Sequence, residues 1–394
     1  MKIDYNILQY KGYENFSCIG ARCRHTCCVD WDIDIDNETY KKYKVSNFFT
    51  KEMLEKNFTR KKSGVIKFRL NEKKGCPLQN ESGLCDIHSN LGEEFLCKTC
   101  RIYPRMCNLV DNTLEKFLTT SCPAVNEIFL LDENQLSFDS VISAEDKEEL
   151  SIKMRVDTRK DDYLKYFWDI RIFTISLLQN RDFDIEKRLI ILGLVYNKIN
   201  ALISEKKIDD IKKILDMYTV NLGDKTLFEN LDKLVINNEF KSKLLKALAF
   251  GKTKNNLLNM NENLNKLLEF DENGVSEKYN NAVNVKYKNY LDKYEYTLEN
   301  YLVNIAYSSA MPKSNNGDML SSYLYLAVQY AMVKTYLISV DNKEITTDDF
   351  VDIVTLTSRT LNHNANYPKN VVTFMNSIST GNLNMLAKVV NLIK

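Results

Sequence analysis

The sequence predicts a mainly α protein in which a loop-rich, cysteine-cluster region is followed by an all-α helical bundle. Three observations carry this expectation. All ten cysteines fall between Cys18 and Cys122 of a 394-residue chain. Three of the five prolines, Pro77, Pro104 and Pro123, sit in the same stretch, each one to four residues past a cysteine. Such punctuation suits irregular loops that let thiols from separate segments converge. From about Ala144 the apolar residues recur with helical spacing instead. The expected division is a cysteine-rich region over 1–140 and a helical region over 141–394.

Within the first region, Thr39 to Phe58 has helical character and Val65 to Leu70 that of a short strand. In the second, Tyr163, Tyr166, Phe167, Ile170, Phe173 and Leu177 lie on one stripe of a helix. Further helices are expected over 185–206, 208–219, 225–236, 239–250, 276–308, 318–340 and 346–364. The breaks read as turns: NLGDK at 221–225, DENG at 271–274 and PKSNNGD at 312–318. The polar stretch 251–265 is the weakest point of the pattern. Apart from short runs, nothing alternates with the period of a strand.

Hydrophobic residues make up 44% of the chain and charged residues 27%, as in ordinary globular proteins. Lysine plus arginine (54) nearly cancels aspartate plus glutamate (53), so no nucleic-acid footprint is expected. The opening MKIDYNILQYKGYENFSC lacks the apolar core of a signal peptide. The most apolar run, Leu189 to Tyr196, is far too short to cross a bilayer. These features predict a cytoplasmic protein with no membrane partner. In that compartment thiols stay reduced, so clustered cysteines point to metal ligands or catalytic groups rather than disulfides.

The cysteines fall into Cys18-x4-Cys23-x3-Cys27-Cys28, then Cys76, Cys85, Cys97-x2-Cys100 and Cys107, and finally Cys122. Thiolates suit zinc, copper(I) and iron–sulfur clusters, each needing about four ligands. Ten exceed one such site. A zinc ribbon needs two CxxC pairs, and only Cys97 to Cys100 qualifies. Adjacent side chains diverge, so Cys27 and Cys28 do not easily serve one tetrahedral ion. The CxxxCxxC motif of radical enzymes is absent, as is the strand–helix alternation of their barrel. On spacing alone, a functional centre, a purely structural metal site and unligated thiols all stay open.

The run FSCIGARCRHTCCVDWDIDIDNETYKKY (16–43) resembles the opening of the FliB family, the flagellin lysine N-methylases, in its C-x4-C-x3-CC group, its tryptophan and its ID-x-x-TY-x-x-Y segment. CPLQNESGLCDIHSNLGEEFLCKTCRIYPR (76–105) and TTSCPA (119–124) are similar to its later cysteine blocks. LENYLVN (298–304), YLYLAVQYAMVKTYLI (323–338) and SRTLNHN (358–364) resemble its carboxy-terminal helices. The resemblance implies methyl transfer from S-adenosylmethionine to lysines of flagellin by a protein carrying a [4Fe–4S] cluster. It places Cys18, Cys23, Cys27, Cys28, Cys76, Cys85, Cys100 and Cys122 on the family's cysteine positions as candidate metal ligands. Cys97 and Cys107 fall outside that pattern and are expected to be spectators.

Methylating a lysine requires its neutral amine, so a pKa near about 10.4 must be lowered or a base supplied. A sulfonium cofactor is met by aromatic faces and carboxylates, and Trp31, flanked by Asp30 and Asp32, offers both; its alternative is a core tryptophan. Arg101 is a further candidate for cofactor binding, set against a plain ion pair. Tyr103 is a candidate proton acceptor. His25 lies among the first cysteines as a possible extra ligand, and His88 reads as a surface residue. SRTLNHN makes Arg359 and His363 candidates for lining a cleft between the two regions. No glycine-rich loop of the common methyltransferase scaffold is present. The competing expectation is a zinc- or iron-binding structural or interaction module without transferase activity.

Overall fold

The computed structural model describes residues 2–29, 31–249, 258–271, 274–275, 277–313, 318–362 and 366–394. The fold is mainly α, and its first region is more regular than expected. Strands β1 (Lys2–Tyr10), β5 (Arg105–Val110), β6 (Thr113–Leu118), β7 (Phe138–Asp146) and β8 (Ile152–Val156) form one sheet in the order β7-β1-β6-β5-β8. β1 runs antiparallel to β7 and parallel to β6, while β5 and β6 make a hairpin turned at Asp111, whose φ is +51°. A second sheet, β2 (Asp34–Ile35), β4 (Ile66–Phe68) and β3 (Phe58–Arg60), lies within the cysteine region.

These strands correct two expectations: the first region is not simply loop-rich, and the stretch after residue 140 is not all-α. The reason is local. β7, FDSVISAED, is an edge strand that leaves most of its side chains partly or fully exposed. It therefore carries little of the in–out alternation that marks a half-buried strand.

Small helices punctuate the cysteine region: α1 (Asn37–Val45), α2 (Lys51–Asn57), α3 (Asp86–Leu91), α4 (Lys98–Ile102) and α5 (Pro123–Val125). Asp36 caps α1 by accepting from the Thr39 amide at 2.8 Å, and Thr50 caps α2 in the same way. The single helix expected over Thr39 to Phe58 is thus two, and the expected strand at Val65 to Leu70 appears as β4. Around them Ile33, Ile35, Tyr43, Phe49, Phe58, Ile66, Phe68, Leu78 and Ile87 bury a small separate core.

The helical region follows the expected periodicity over most of its length and adds two helices beyond the last one expected. It comprises α6 (Phe167–Leu178), α7 (Ile185–Ser204), α8 (Ile211–Asn221), α9 (Asn238–Ala249), α10 (Leu258–Leu267), α11 (Glu277–Asn281), α12 (Lys288–Ser308), α13 (Leu320–Ser339), α14 (Thr347–Thr357), α15 (Tyr367–Ser377) and α16 (Asn382–Ile393). The stretch 225–236 instead forms a tight 3-10 run, Lys225–Lys233. The long helix expected from 276 is split by a π-helical segment, Ala282–Tyr287, and DENG 271–274 falls at a short strand pair, β9 (Phe270–Asp271) and β10 (Gly274–Val275). Part of the polar stretch 251–265 lies outside the described residues, and 258–265 belongs to α10.

α13 is buried almost all round and is packed by α7, α10, α12, α14, α15 and α16, so it forms the axis of the bundle. At Gly193 the α7 backbone comes so close to α13 that an added Cβ would lie 2.5 Å from the Tyr323 ring. α12 joins bundle to sheet. Its Asn304 and Asn300 donate to the carbonyls of Leu118 and Asp132, and its Tyr307 hydroxyl donates to Leu8 O at 2.6 Å. One helix therefore grips both ends of the segment 118–132, which carries Cys122.

Candidate functional site

The first cysteine loop runs over residues 16–29 with one 3-10 turn, Gly20–Arg22. Gly20 adopts φ +58°, a conformation that glycine takes without strain, and a Cβ there would press on Leu84 at 3.3 Å. The loop is thus seated on the 80–85 turn. Further on, the Cys76 amide donates to Cys28 O at 2.7 Å, and Val29 pairs with Gly75. Thr26 Oγ1 accepts from the Cys28 amide at 3.2 Å and from Gln79 Nε2 at 3.1 Å. Cys85, Cys97 and Cys122 each sit at the position just before a short helix, and Cys100 lies inside α4.

All ten cysteines are free thiols, and packing sorts them. Cys76 and Cys97 are buried in the small core, with Cys28, Cys85 and Cys100 on its margin. Cys122 packs on the main core instead, and Cys18 is exposed in the first loop. Cys107 stands apart in a third cluster with Tyr5, Ile7 and Leu114. Cys97, expected as a spectator, therefore shares its surroundings with Cys76 and Cys100, whereas Cys107 is segregated from the others by the sheet.

Electrostatics follows this grouping. The mutual interaction of the adjacent Cys27 and Cys28 thiols is the main reason Cys27 is pushed up and Cys28 is drawn down to about 6. The Thr26 hydroxyl and the Arg359 cation add to the lowering at Cys28. Cys97 and Cys100 form a second such pair, with Cys97 lowered and Cys100 raised. Burial pushes Cys76 up to about 12 and Cys122 up to about 11. A thiol becomes a good ligand only as thiolate, so these desolvated groups need a cation to ionise. Soft donors in this number fit a thiophilic metal or an iron–sulfur group by chemistry. Among the described residues, no three histidine, cysteine or acidic side chains are gathered closely enough to hold an ion.

Those of the remaining candidate residues that are described are already engaged. Trp31 Nε1 donates to Cys27 O, and the ring packs edge-on to Tyr103 at 5.2 Å, so it is a wall of the cysteine loop. Tyr103 hydrogen-bonds the Ser121 hydroxyl at 3.0 Å, and burial pushes its pKa above the usual phenol value, which favours a protonated hydroxyl. Arg101 forks onto Glu149 at 3.0 and 2.7 Å. Asp30 and His363 lie outside the described residues. His25 Nε2 faces Asp352 Oδ1 at 3.0 Å rather than the thiols, and Arg24 reaches Asp348 and Asp352 beside it.

Arg359 is the residue whose place the sequence only hinted at. Its Nε donates to Ser121 O at 3.0 Å, Nη1 to Thr26 O at 3.1 Å and Nη2 to His25 O at 2.6 Å. The helical region thereby holds the first cysteine loop and the Cys122 turn with one guanidinium. All of these contacts are to backbone oxygens, a pattern that residue type alone does not reveal.

Residues 171–390 match the sequence profile of the FliB lysine N-methylase C-terminal domain. Over 386 residues the chain is 21% identical to a lysine-N-methylase of Salmonella typhimurium, covering 93% of this chain and 94% of the relative. It is 30% identical over 128 residues to the flagellar biosynthetic protein FliU of Salmonella muenchen, covering 31% of this chain and 76% of that protein. An uncharacterized protein of Methanocaldococcus jannaschii is 28% identical over 287 residues, 68% of this chain and 92% of its own. No solved structure matches.

Proposed function

This chain belongs to the FliB lysine N-methylase family, and from that premise we propose that it transfers methyl groups from S-adenosylmethionine to lysine side chains of flagellin. The observation that carries the proposal is the match to a lysine-N-methylase over 93% of the chain, cysteine loops and bundle together. The likeness to a flagellar biosynthetic protein supports a flagellar substrate. Among the described residues no helix is long and apolar enough to cross a membrane, which accords with a substrate met in solution.

The cysteine loops are the proposed site of a [4Fe–4S] cluster. Cys18, Cys23, Cys27, Cys28, Cys76, Cys85, Cys100 and Cys122 are the proposed pool of ligands, and Cys97 joins them by its contact with Cys100. The chemistry such a cluster supplies when bound is Lewis acidity at iron. The chain's own residues provide the enclosure. Trp31 and Tyr103 wall the Cys27 side with aromatic surface, which excludes water and favours the neutral form of an incoming lysine. Because Tyr103 keeps its proton, lowering the lysine pKa by desolvation is the proposed route to the reactive amine. Burial of Cys76 and Cys97 to 7% and 1% exposure favours a structural share of the work for the small-core thiols.

The test is anaerobic purification with iron, zinc and sulfide analysis, followed by incubation with methyl-labelled S-adenosylmethionine and flagellin. Label in flagellin lysines and iron with matching sulfide are expected. Flagellin left unlabelled defeats the methyl-transfer reading, and a colourless protein with stoichiometric zinc defeats the cluster.

A further inference from the structure

The first cysteine loop and the Cys122 turn are about a hundred residues apart in sequence, and among the described residues no backbone hydrogen bond joins them directly. What joins them comes from far along the chain, in α14 and the π-helical turn Ser358–Asn362 that follows it. Arg359 bridges His25 O and Thr26 O of the loop to Ser121 O of the turn. Neighbouring residues repeat the attachment to each partner separately. Asp352 and Asp348 hold His25 and Arg24 of the loop. Ser358 meets the Thr120 hydroxyl at 2.7 Å, and Thr355 accepts from buried Asn126 at 2.9 Å.

We propose that Arg359 is a positioning residue for the thiol centre, clamping Cys23 and Cys27 against Cys122 so that this half of the centre is assembled only with α14 docked. The proposal rests on the reading of the cysteines as a metal centre. The physical case is one of geometry. Only a guanidinium presents a planar fork able to donate to three carbonyls from two segments at once, and each such bond to a charged donor outweighs a neutral one. A lysine keeps the charge but reaches fewer of them. The small-core cysteines Cys76 and Cys97 need no such clamp, because apolar packing already fixes them.

The experiment compares the wild-type chain with Arg359→Met and Arg359→Lys by two readouts. The first is the alkylation rate of each cysteine after chelation of metal, resolved by peptide mass spectrometry. Cys27 and Cys122 are expected to react about tenfold faster in Arg359→Met, the effect of losing one charge-assisted hydrogen bond, with Cys76 and Cys97 unchanged. Arg359→Lys should fall between the two. The second is metal per chain after anaerobic purification, expected to drop by about half or more in Arg359→Met. Unchanged rates at Cys27 and Cys122, a uniform rise at all ten cysteines, or wild-type metal content in Arg359→Met would each overturn the clamp. Should the wild-type chain itself hold no metal, the metal-centre reading fails while the alkylation pattern still decides whether Arg359 holds the loops together.

Discussion

Arg188 on α7 is fully buried, and its replacement by methionine tests how the bundle holds α12. The guanidinium donates to Phe183 O at 2.6 Å, Leu178 O at 3.0 Å, Glu299 at 2.8 Å and Glu295 at 2.9 Å. Arg181 forks onto the same Glu299, so two arginines neutralise two glutamates. Methionine fills similar space but strands a carboxylate. Removing one partner of a buried pair costs about 3–5 kcal/mol, and two carbonyls lose their donor as well. With an unfolding entropy of about 2.1 cal/mol/K per residue, a chain of this length loses about 5 °C of Tm for about 4 kcal/mol. Thermal and urea unfolding of Arg188→Met measure this directly. The double variant Arg188→Met with Glu295→Gln restores neutrality and should recover about 1–2 kcal/mol of the loss. A loss below about 1 kcal/mol, or strict additivity in the double variant, would refute the account of α12 as pinned by charge.

Three further outcomes follow from single contacts. Gly193→Ala should destabilise by about 1–3 kcal/mol, because its methyl meets the buried Tyr323 ring; urea midpoints check it. Arg101→Met loses a fork to Glu149 at the surface and a long bond to Leu96 O, so stability should change by less than about 1 kcal/mol, as urea midpoints check. Asp36 is raised by burial, but hydrogen bonds from the Thr39 amide, the Lys98 amide and the Thr39 hydroxyl outweigh this and lower its pKa. Its stabilisation is therefore full above about pH 4 and lost as pH falls through the lowered value. Asp36→Asn should flatten that acid limb and lower stability at neutral pH, because one carboxylate oxygen becomes an NH2 that cannot accept from the Thr39 hydroxyl and the Lys98 amide, as read by the pH dependence of unfolding.

The helices were legible because burying one face of a helix imposes a period on the side chains that needs no knowledge of the partner. Of Tyr163, Tyr166, Phe167, Ile170, Phe173 and Leu177, chosen by that period alone, all but the partly buried Tyr166 are buried in the main core. β1 and β7 were missed for the converse reason. A strand's pairing partner lies far away in sequence, and β7 at the sheet edge keeps Val141 and Ile142 exposed, so no clear alternation remains. The 3-10 run at Lys225–Lys233 differs from an α-helix mainly in backbone hydrogen bonding, to which side-chain spacing is nearly blind.

By itself the sequence determined the position of most helices between 167 and 357, the confinement of every cysteine to the first 122 residues, and the motifs that resemble a lysine N-methylase. These depend on neighbours along the chain. Which thiols share a core, that Arg101 is spent on Glu149, and that Arg359 binds two cysteine loops were decided only by the tertiary structure. A side chain's type limits what it can bond, but the partner is supplied by whichever backbone the packed helices and strands bring within about 3 Å.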